Sequence, residues 1–511
     1  PHLSEVFALA GLDRDHGDYA RPARSCLGQY LHERIYLIFL ARDLRSRERT
    51  AVLVGFPDDL AELYRRYWHE PFPVRRTWRW QGRAIWNTLL LVGAFAITLV
   101  RLCRLLRWSA PPPEDVFFAV DQLDDTTDRN IRLAREIIGD DARPLFVLRY
   151  DAMAGRPEFM AHLAGESWCL RTSGAIDRAM LPGTLAILFS DLPRLWKSTL
   201  GLPPQVVRAV LGLAYWRLVY RAFFRVRRVR YFWCRDDYTA EHHMRSQELR
   251  KLGGATMGVR HGVCWTGQLL QYGYMDFDYF YYFGDERAHE FYRTVWPAHM
   301  KVTAIGTWGM TNAQRRALPE KAPPNIVMAV SNAPGALAIT DGVRRCAERF
   351  PDRTIYFCPK ATTYPRYPAL SQAIREIFAD LPANVVVPAG GTYDGMRNSA
   401  YLISNASSVV PEALQFGLRA FAIDQGFDHP EPWVYLYRHY PFLCPSSVDE
   451  AADRIAAIEA GTWRYPGEQA ADLIRLSGEN PFDLIRQDMG LAALDAQPPT
   501  VRWPVSPGVG A

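Results

Sequence analysis

Short apolar runs alternate with amphipathic stretches along almost the whole of this 511-residue chain. That alternation limits the fold more than any other feature. A run of β-branched and aromatic residues followed by a stretch of helical period makes one strand–helix unit, and repetition of the unit makes a parallel sheet covered by helices on both faces. In the first half the strand-forming runs are TAVLVGF, DVFFAV, PLFVLRY, RYFWCR, ATMGVR, YFYYFG and KVTAIG; in the second they are NIVMAV, TIYFCP, NVVVPA, AYLISN and RAFAID. The polar, proline-containing segment NAQRRALPEKAPPN, residues 312–325, separates the two sets and reads as a linker. The expectation is an α/β protein of two doubly wound, Rossmann-like domains in series. The first spans residues 1–311, interrupted by an insertion at about 70–113; the second spans 326–490, and 491–511 form a tail.

Hydrophobic residues make up 49% of the chain, enough for substantial cores. The eight cysteines are scattered, without a CxxC pair or a close Cys/His set. This argues against a zinc framework and for a reduced, cytoplasmic compartment. The net charge of +5 is unevenly spread: seven arginines and no acids lie between Arg75 and Trp108, and six arginines and no acids between Arg217 and Arg230. Without these two stretches the chain is net acidic, so the basicity points to a local partner.

From Ile85 to Val100 the sequence is almost wholly apolar, broken by Asn87, flanked by Arg83 and Arg101, with Trp78, Trp80, Trp86 and Trp108 around it. The run falls just short of the roughly 17 to 20 residues that a spanning helix needs. Its arginine and tryptophan flanks suit a helix lying in the headgroup region of an anionic membrane. The second stretch sets Arg217, Arg221 and Arg225 along one helix face, with Tyr215, Trp216, Tyr220, Phe223 and Phe224 between them, and predicts a second membrane-facing surface. No nucleic-acid reader motif is present and the remainder is acidic, so nucleic acid is not an expected partner.

In doubly wound sheets ligands bind beyond the carboxyl ends of the strands, so polar clusters at strand tips in both halves are expected to converge on an interdomain cleft. In the segment from Asn398 to Asp424, Ser404, Asn405, Ser407 and Ser408 crowd the start of a helix opened by Pro411. Free backbone N–H groups and the positive dipole end suit a phosphate there, and Glu412 suits ribose hydroxyls. Lys360, after one strand, suits a diphosphate or a carboxylate; Ser331 and Asn332, after another, make a similar polar turn. In the first half, Asp236 and Asp237 follow one strand, and Arg260, His261 and Gly262 follow the next. The paired carboxylates suit a base for an acceptor hydroxyl, a nucleophile on an anomeric carbon, or a helix cap. His261 suits acid–base work or donation to a leaving phosphate, with Gly262 allowing close backbone approach. Asp121, Asp124 and Asp125 read first as a helix-opening acidic turn, with an acceptor-lining role as the alternative. His242 and His243 are adjacent in a helix, so no metal site follows from them.

The combination of GVRHGV, a strand-Pro-Lys stretch and SNASSVVPEALQFG resembles the GT-B glycosyltransferases of bacterial surface-polysaccharide synthesis. Within that group it is similar to the capsule and lipopolysaccharide transferases of CMP-activated sugars such as Kdo or sialic acid, and to the related CDP-glycerol polymer transferases. The resemblance covers roughly residues 229–430 and implies a GT-B architecture. It places His261 and Gly262 at the family's His-Gly, Pro359 and Lys360 loosely at its basic or His-Pro motif, Ser407 and Ser408 at the Ser-Ser pair that holds the donor phosphate, and Glu412 at the acid position. Cys-Pro-Lys stands where sialyltransferases carry His-Pro, so the donor need not be sialic acid.

The implied activity is transfer of a sugar from a nucleotide-activated donor, with a CMP-sugar favoured, to a surface-polysaccharide or lipid-linked glycan acceptor. No cofactor and no metal are expected, since cationic side chains and helix N-termini can neutralise the leaving phosphate. The expected location is the cytoplasm, peripherally at the inner membrane. The alternatives are a nucleotide-sugar 2-epimerase, a CDP-glycerol-type polyol-phosphate transferase, and a non-enzymatic glycan-binding scaffold.

Overall fold

A computed structural model describes residues 17–32, 53–54, 74–75, 79–109, 111–122, 129–199, 202–234, 239–260, 273–284, 296–310, 312, 314, 318, 322–331, 336–360, 368–405, 407–423, 437–470, 473–474 and 480–493. Two short strands, β1 (Leu53–Val54) and β2 (Val74–Arg75), pair in parallel apart from the main sheets. Seven strands follow: β3 (Glu114–Gln122), β4 (Leu145–Leu148), β5 (Ser167–Leu170), β6 (Arg227–Cys234), β7 (Ala255–Val259), β8 (Tyr279–Tyr282) and β9 (Lys301–Ala304). They form a parallel sheet in the order β5-β4-β3-β6-β7-β8-β9. The second sheet holds β10 (Ile326–Val330), β11 (Ile355–Pro359), β12 (Val385–Val386), β13 (Tyr401–Asn405) and β14 (Arg419–Ile423) in the order β12-β11-β10-β13-β14.

In both sheets the chain steps outward from its first strand, then returns to that strand's other side. This is the doubly wound Rossmann order, and the reversal leaves a crevice between β3 and β6 and another between β10 and β13. The architecture is α/β with two doubly wound parallel sheets, as the sequence predicts. Strand composition follows from double coverage: every residue of β10 is buried, because helices cover both sheet faces and neither face meets water.

The helices used below are α1 (Ala20–His32), α2 (Arg79–Leu105), α3 (Arg129–Ile138), α4 (Pro204–Val226), α5 (Glu241–Arg250), α6 (Ala336–Arg349), α7 (Pro368–Ala379), α8 (Thr392–Arg397), α9 (Val409–Gln415), α10 (Val448–Glu459) and α11 (Pro481–Asp488). One core lies between the first sheet and α1 and α4, where Val116, Ala119 and Phe232 meet Tyr220, Phe223 and Phe224. A larger core runs from the opposite face of that sheet, at Tyr231 and Trp233, into the second domain.

Three sequence expectations change. The TAVLVGF run does not join the seven-stranded sheet, which begins with β3, so the basic apolar segment interrupts the first domain between α1 and the sheet and not between strands of the sheet. Strand β5, absent from the expected set, is a four-residue edge strand whose first two residues are exposed, too short and too polar to stand out as an apolar run. The expected second membrane surface is an interior one. Arg217 is only 4% exposed, stacks over Tyr19 at 3.8 Å and lies 3.5 Å from Glu248. Arg221 pairs with Glu248 at 3.1 Å and Arg225 with Asp177 at 2.6 Å, while Tyr220, Phe223 and Phe224 are buried. Helical period alone does not say which face meets acids supplied from elsewhere in the chain.

The first basic segment keeps its exposed apolar surface but is longer than the apolar run suggests. Helix α2 has 27 residues, and its window Ile85–Leu105 is long and apolar enough to cross a membrane. It nevertheless lies against α4. Asn87, Thr98, Leu102 and Leu105 are buried on the inner side, Asn87 Nδ2 donates to the Leu202 carbonyl at 3.4 Å, and an Arg101 guanidinium donates to the Thr172 carbonyl at 2.8 Å. On the outer side Ile85, Leu89, Val92, Ile97 and Val100 are more than half exposed.

The 312–325 segment joins β9 to β10. At the far end of the chain α11 does not stay with the second domain, where the 326–490 boundary placed it; it packs against the first. Arg486, buried, donates to the carbonyls of Ile137 and Ile138 at 2.9 and 3.0 Å and pairs with Asp141 at 2.6 Å. The Tyr281 hydroxyl donates to Asp488 Oδ2 at 2.8 Å. Replacing Arg486 by Met strips the α3 end of these donors, so the Arg486→Met protein should lose about 3 kcal/mol of stability. Its thermal midpoint should fall and proteases should cut the C-terminal segment earlier; an unchanged midpoint and digestion pattern would refute the clasp.

Candidate functional site

At the tips of the second sheet the register sets the candidate residues side by side. Val330 pairs with Pro359 and Ala329 with Ser404, so Ser331 and Lys360, just past β10 and β11, and Asn405, the last residue of β13, stand at the tips of three adjacent strands. Asn405, fully buried, spans the crevice between β10 and β13: its Oδ1 accepts from the Ser331 N–H at 3.0 Å and its Nδ2 donates to Ser331 Oγ at 2.8 Å. The Ser404 hydroxyl donates to the Ala329 carbonyl at 2.9 Å. These two residues therefore stitch the strand ends together. Lys360 is held by its backbone, N–H to the Val330 carbonyl at 2.9 Å, and its side chain is exposed.

The turn into α9 is built differently from an ordinary capped helix. Ser408 stands at the N-cap position with helical dihedrals, and its hydroxyl makes no capping bond. Tyr437 donates its hydroxyl to the Ser407 carbonyl at 2.7 Å, and both serines are partly exposed. Glu412 is turned inward. It is 7% exposed and accepts from the Tyr393 hydroxyl at 2.8 Å, which ties α9 to α8.

At the tips of the first sheet the structure shows a buried charge cluster. Asp121 Oδ2, at the end of β3, accepts from the guanidinium of Arg149, just past β4, and at 2.7 Å from Arg245 Nη1 on α5. Arg171, just past β5, pairs with Glu241 at 2.7 Å and lies over the Trp216 ring at 4.0 Å. Arg149 also approaches Glu241, at 3.6 Å. Arg245 reaches Cys234 Sγ, the last residue of β6, at 2.7 Å. Three guanidinium groups thus meet two carboxylates at the tips of the first sheet.

Burial alone would raise the Asp121 carboxyl, but Arg149 and Arg245 outweigh it and hold the group below the usual carboxylate range. Asp121, weighed from sequence as part of an acidic turn or an acceptor wall, is an internal counter-ion. Arg149, Arg171, Glu241 and Arg245 were not singled out from sequence; the one visible signal was an arginine directly after an apolar run, as in PLFVLRY.

Arg260 directly follows β7 and is buried, its N–H donating to the Tyr281 carbonyl at 2.9 Å and its carbonyl accepting from Trp308 Nε1 at 3.2 Å. Asp236, Asp237, His261, Gly262, Asn332, Asp124 and Asp125 lie outside the described residues. His242 and His243 are both buried with rings stacked at 4.1 Å. The His242 Nε2 accepts from the Asp276 N–H at 3.2 Å, whereas neither His243 nitrogen has a hydrogen-bond partner among the described residues. No group of three His, Cys, Asp or Glu side chains suited to a metal occurs among the described residues.

Comparison with solved structures finds matches at low identity. MurG of Acinetobacter baumannii aligns with a TM-score of 0.38 at 12% identity, over 74% of this chain and 99% of that one. The UDP-GlcNAc 2-epimerase from Neisseria meningitidis bound to UDP-GlcNAc gives 0.40 at 10% identity, over 72% and 96%. The wall teichoic acid polymerase TagF gives 0.42 at 10% identity, over 81% and 97%. No family model and no curated protein sequence matches the chain.

Two outcomes follow from the buried charges. Asp121→Asn leaves Arg149 and Arg245 facing each other without their shared anion and should cost about 3 to 5 kcal/mol, read as a lower denaturant midpoint; a loss within error of zero would show the cluster to be solvated. The histidines set an acid limit. Burial first, and then neighbouring positive charge, lowers His242 from 6.5 to about 3 and His243 well below its ordinary value. The unfolded chain therefore takes up these protons first, so stability is complete above about pH 6.5 and falls below it, by about 1.4 kcal/mol per pH unit for each histidine. His243→Leu should flatten that slope by one proton in unfolding measured from pH 7 to 5; an unaltered slope would contradict the assignment.

Proposed function

We propose that this chain is a nucleotide-sugar-dependent glycosyltransferase whose donor phosphate sits beyond β10, β11 and β13. What supports the reading is that Ser331, Lys360 and Asn405 stand at the tips of three adjacent strands of a doubly wound sheet, with Ser407 and Ser408 directly along the chain from Asn405, the end at which such sheets take nucleotides. Asn405 fixes the strand ends, leaving the exposed Lys360 ammonium as the group that pairs with the phosphate, and the Ser407–Ser408 turn as the small-residue surface that lets it approach. A CMP-sugar is the favoured donor and a surface-polysaccharide or lipid-linked glycan the acceptor. The neutralising charge comes from side chains, not from a metal.

In the reaction the acceptor hydroxyl loses its proton to Asp236 or Asp237, its oxygen bonds to the anomeric carbon, and the bond from that carbon to the phosphate oxygen breaks, its electron pair leaving with the nucleotide. His261 donates to the departing phosphate, with Arg260 and Gly262 shaping its approach. The exposed apolar side of α2 supports work at the cytoplasmic face of a membrane, where lipid-linked acceptors lie.

The test is a thermal-shift series with CMP, CDP, UDP and GDP, followed by transfer assays. One nucleotide should raise the unfolding midpoint, Lys360→Ala and Ser408→Trp should lose that shift, and His261→Ala should keep it while losing transfer. A protein that responds to none of the four nucleotides is not a nucleotide-sugar transferase.

A further inference from the structure

An apolar groove runs between α2 and α4 on the exposed side of the first domain. Leu89, Gly93 and Ile97 of α2 and Leu211, Gly212 and Tyr215 of α4 line it, with Arg208 at its edge, around a volume of about 340 Å³. A second hollow of about 280 Å³ continues it, shares Ile97 and Tyr215, and ends at Arg101 and Arg104. Between Leu89 and Arg104 the groove follows α2 for about 22 Å. The groove exists because two glycines stand where larger residues would close it: a Cβ placed on Gly93 or Gly212 meets nothing within 4 Å. Helices in contact normally interdigitate side chains, so this open seam leaves hydrocarbon-lined space unfilled by the protein.

We infer that the groove holds one acyl chain of an anionic phospholipid, with its phosphate on Arg104 or Arg208; the inference rests on the membrane-surface reading above. Charge complementarity supports it: Arg75 to Trp108 contains no acid, and neither Arg104 nor Arg208 has an ion-pair partner among the described residues. The surrounding surface has the chemistry of an interface. Trp108 is 88% exposed beyond the arginine end, and the exposed Phe189 packs edge-on to Phe95 at 5.8 Å. A seam that is apolar in the middle and cationic at its ends matches a chain with one anionic head, not a peptide, which would need partners for its backbone polar groups.

The full chain is tested for co-sedimentation with vesicles of phosphatidylglycerol and phosphatidylcholine mixed, against phosphatidylcholine alone, and for retained lipid by native mass spectrometry after mild detergent extraction. The expected result is sedimentation with the mixed vesicles and one phosphatidylglycerol retained per chain. Gly93→Leu with Gly212→Leu fills the seam and raises helix propensity; it should lose the retained lipid yet still sediment. Ile85→Glu with Val92→Glu, on the outer face and away from the groove, should abolish sedimentation. Arg104→Glu with Arg208→Glu should weaken binding to the mixed vesicles by about tenfold or more. Wild-type protein that sediments without retained lipid, a filled variant that retains it, or a retained isoprenoid in place of phospholipid would each overturn the inference while leaving membrane docking intact. Absence of sedimentation by the wild type would instead remove the membrane reading itself, and the inference with it.

Discussion

The first domain depends on a set of buried charges that stabilise it only when complete. Asp121, Arg149, Arg171, Glu241 and Arg245 come from the ends of β3, β4 and β5 and from the start and middle of α5, and all are largely out of water. Each charge would cost several kcal/mol to bury alone. Paired, they hold three strand ends and a helix in one arrangement, since moving any element strands an ion.

The second domain ties its strand ends with a neutral side chain. Asn405 crosses the β10–β13 crevice to Ser331, and Glu412 is taken up by Tyr393. A side-chain amide can both donate and accept, so one residue satisfies both strand ends without bringing in a charge. The consequence is a division of labour: Asn405 holds the strand tips, while the Lys360 side chain is exposed and the Ser407–Ser408 turn partly so. An anion entering there meets a site whose frame is already hydrogen-bonded, which keeps the entropy lost on binding small.

Helices α2 and α4 show how similar sequences take opposite fates. Both are long, apolar, arginine-bearing and rich in aromatics. On α4 the arginines find Glu248 and Asp177 and turn inward with the aromatics. On α2 no acid among the described residues pairs with Arg104, which remains at the surface beside an uncovered apolar face. The difference lies in the partners.

From the sequence alone come the strand–helix alternation, the division into two doubly wound units, the acid-free basic segment, and the small-residue turn at Ser407 and Ser408. All of these are local: strand runs, helical period and turn chemistry are written within ten or twenty neighbouring residues. Only the tertiary structure decided that TAVLVGF stays out of the sheet, that Asp121 is a counter-ion, that the α4 arginines are internal, and that α11 returns to the first domain. Each of these depends on a partner far along the chain, 124 residues away for Asp121 and Arg245 and 349 for Arg486 and Ile137. Local pattern can show that a residue is polar or a helix two-faced; which group neutralises or covers it is fixed only when the distant segment arrives.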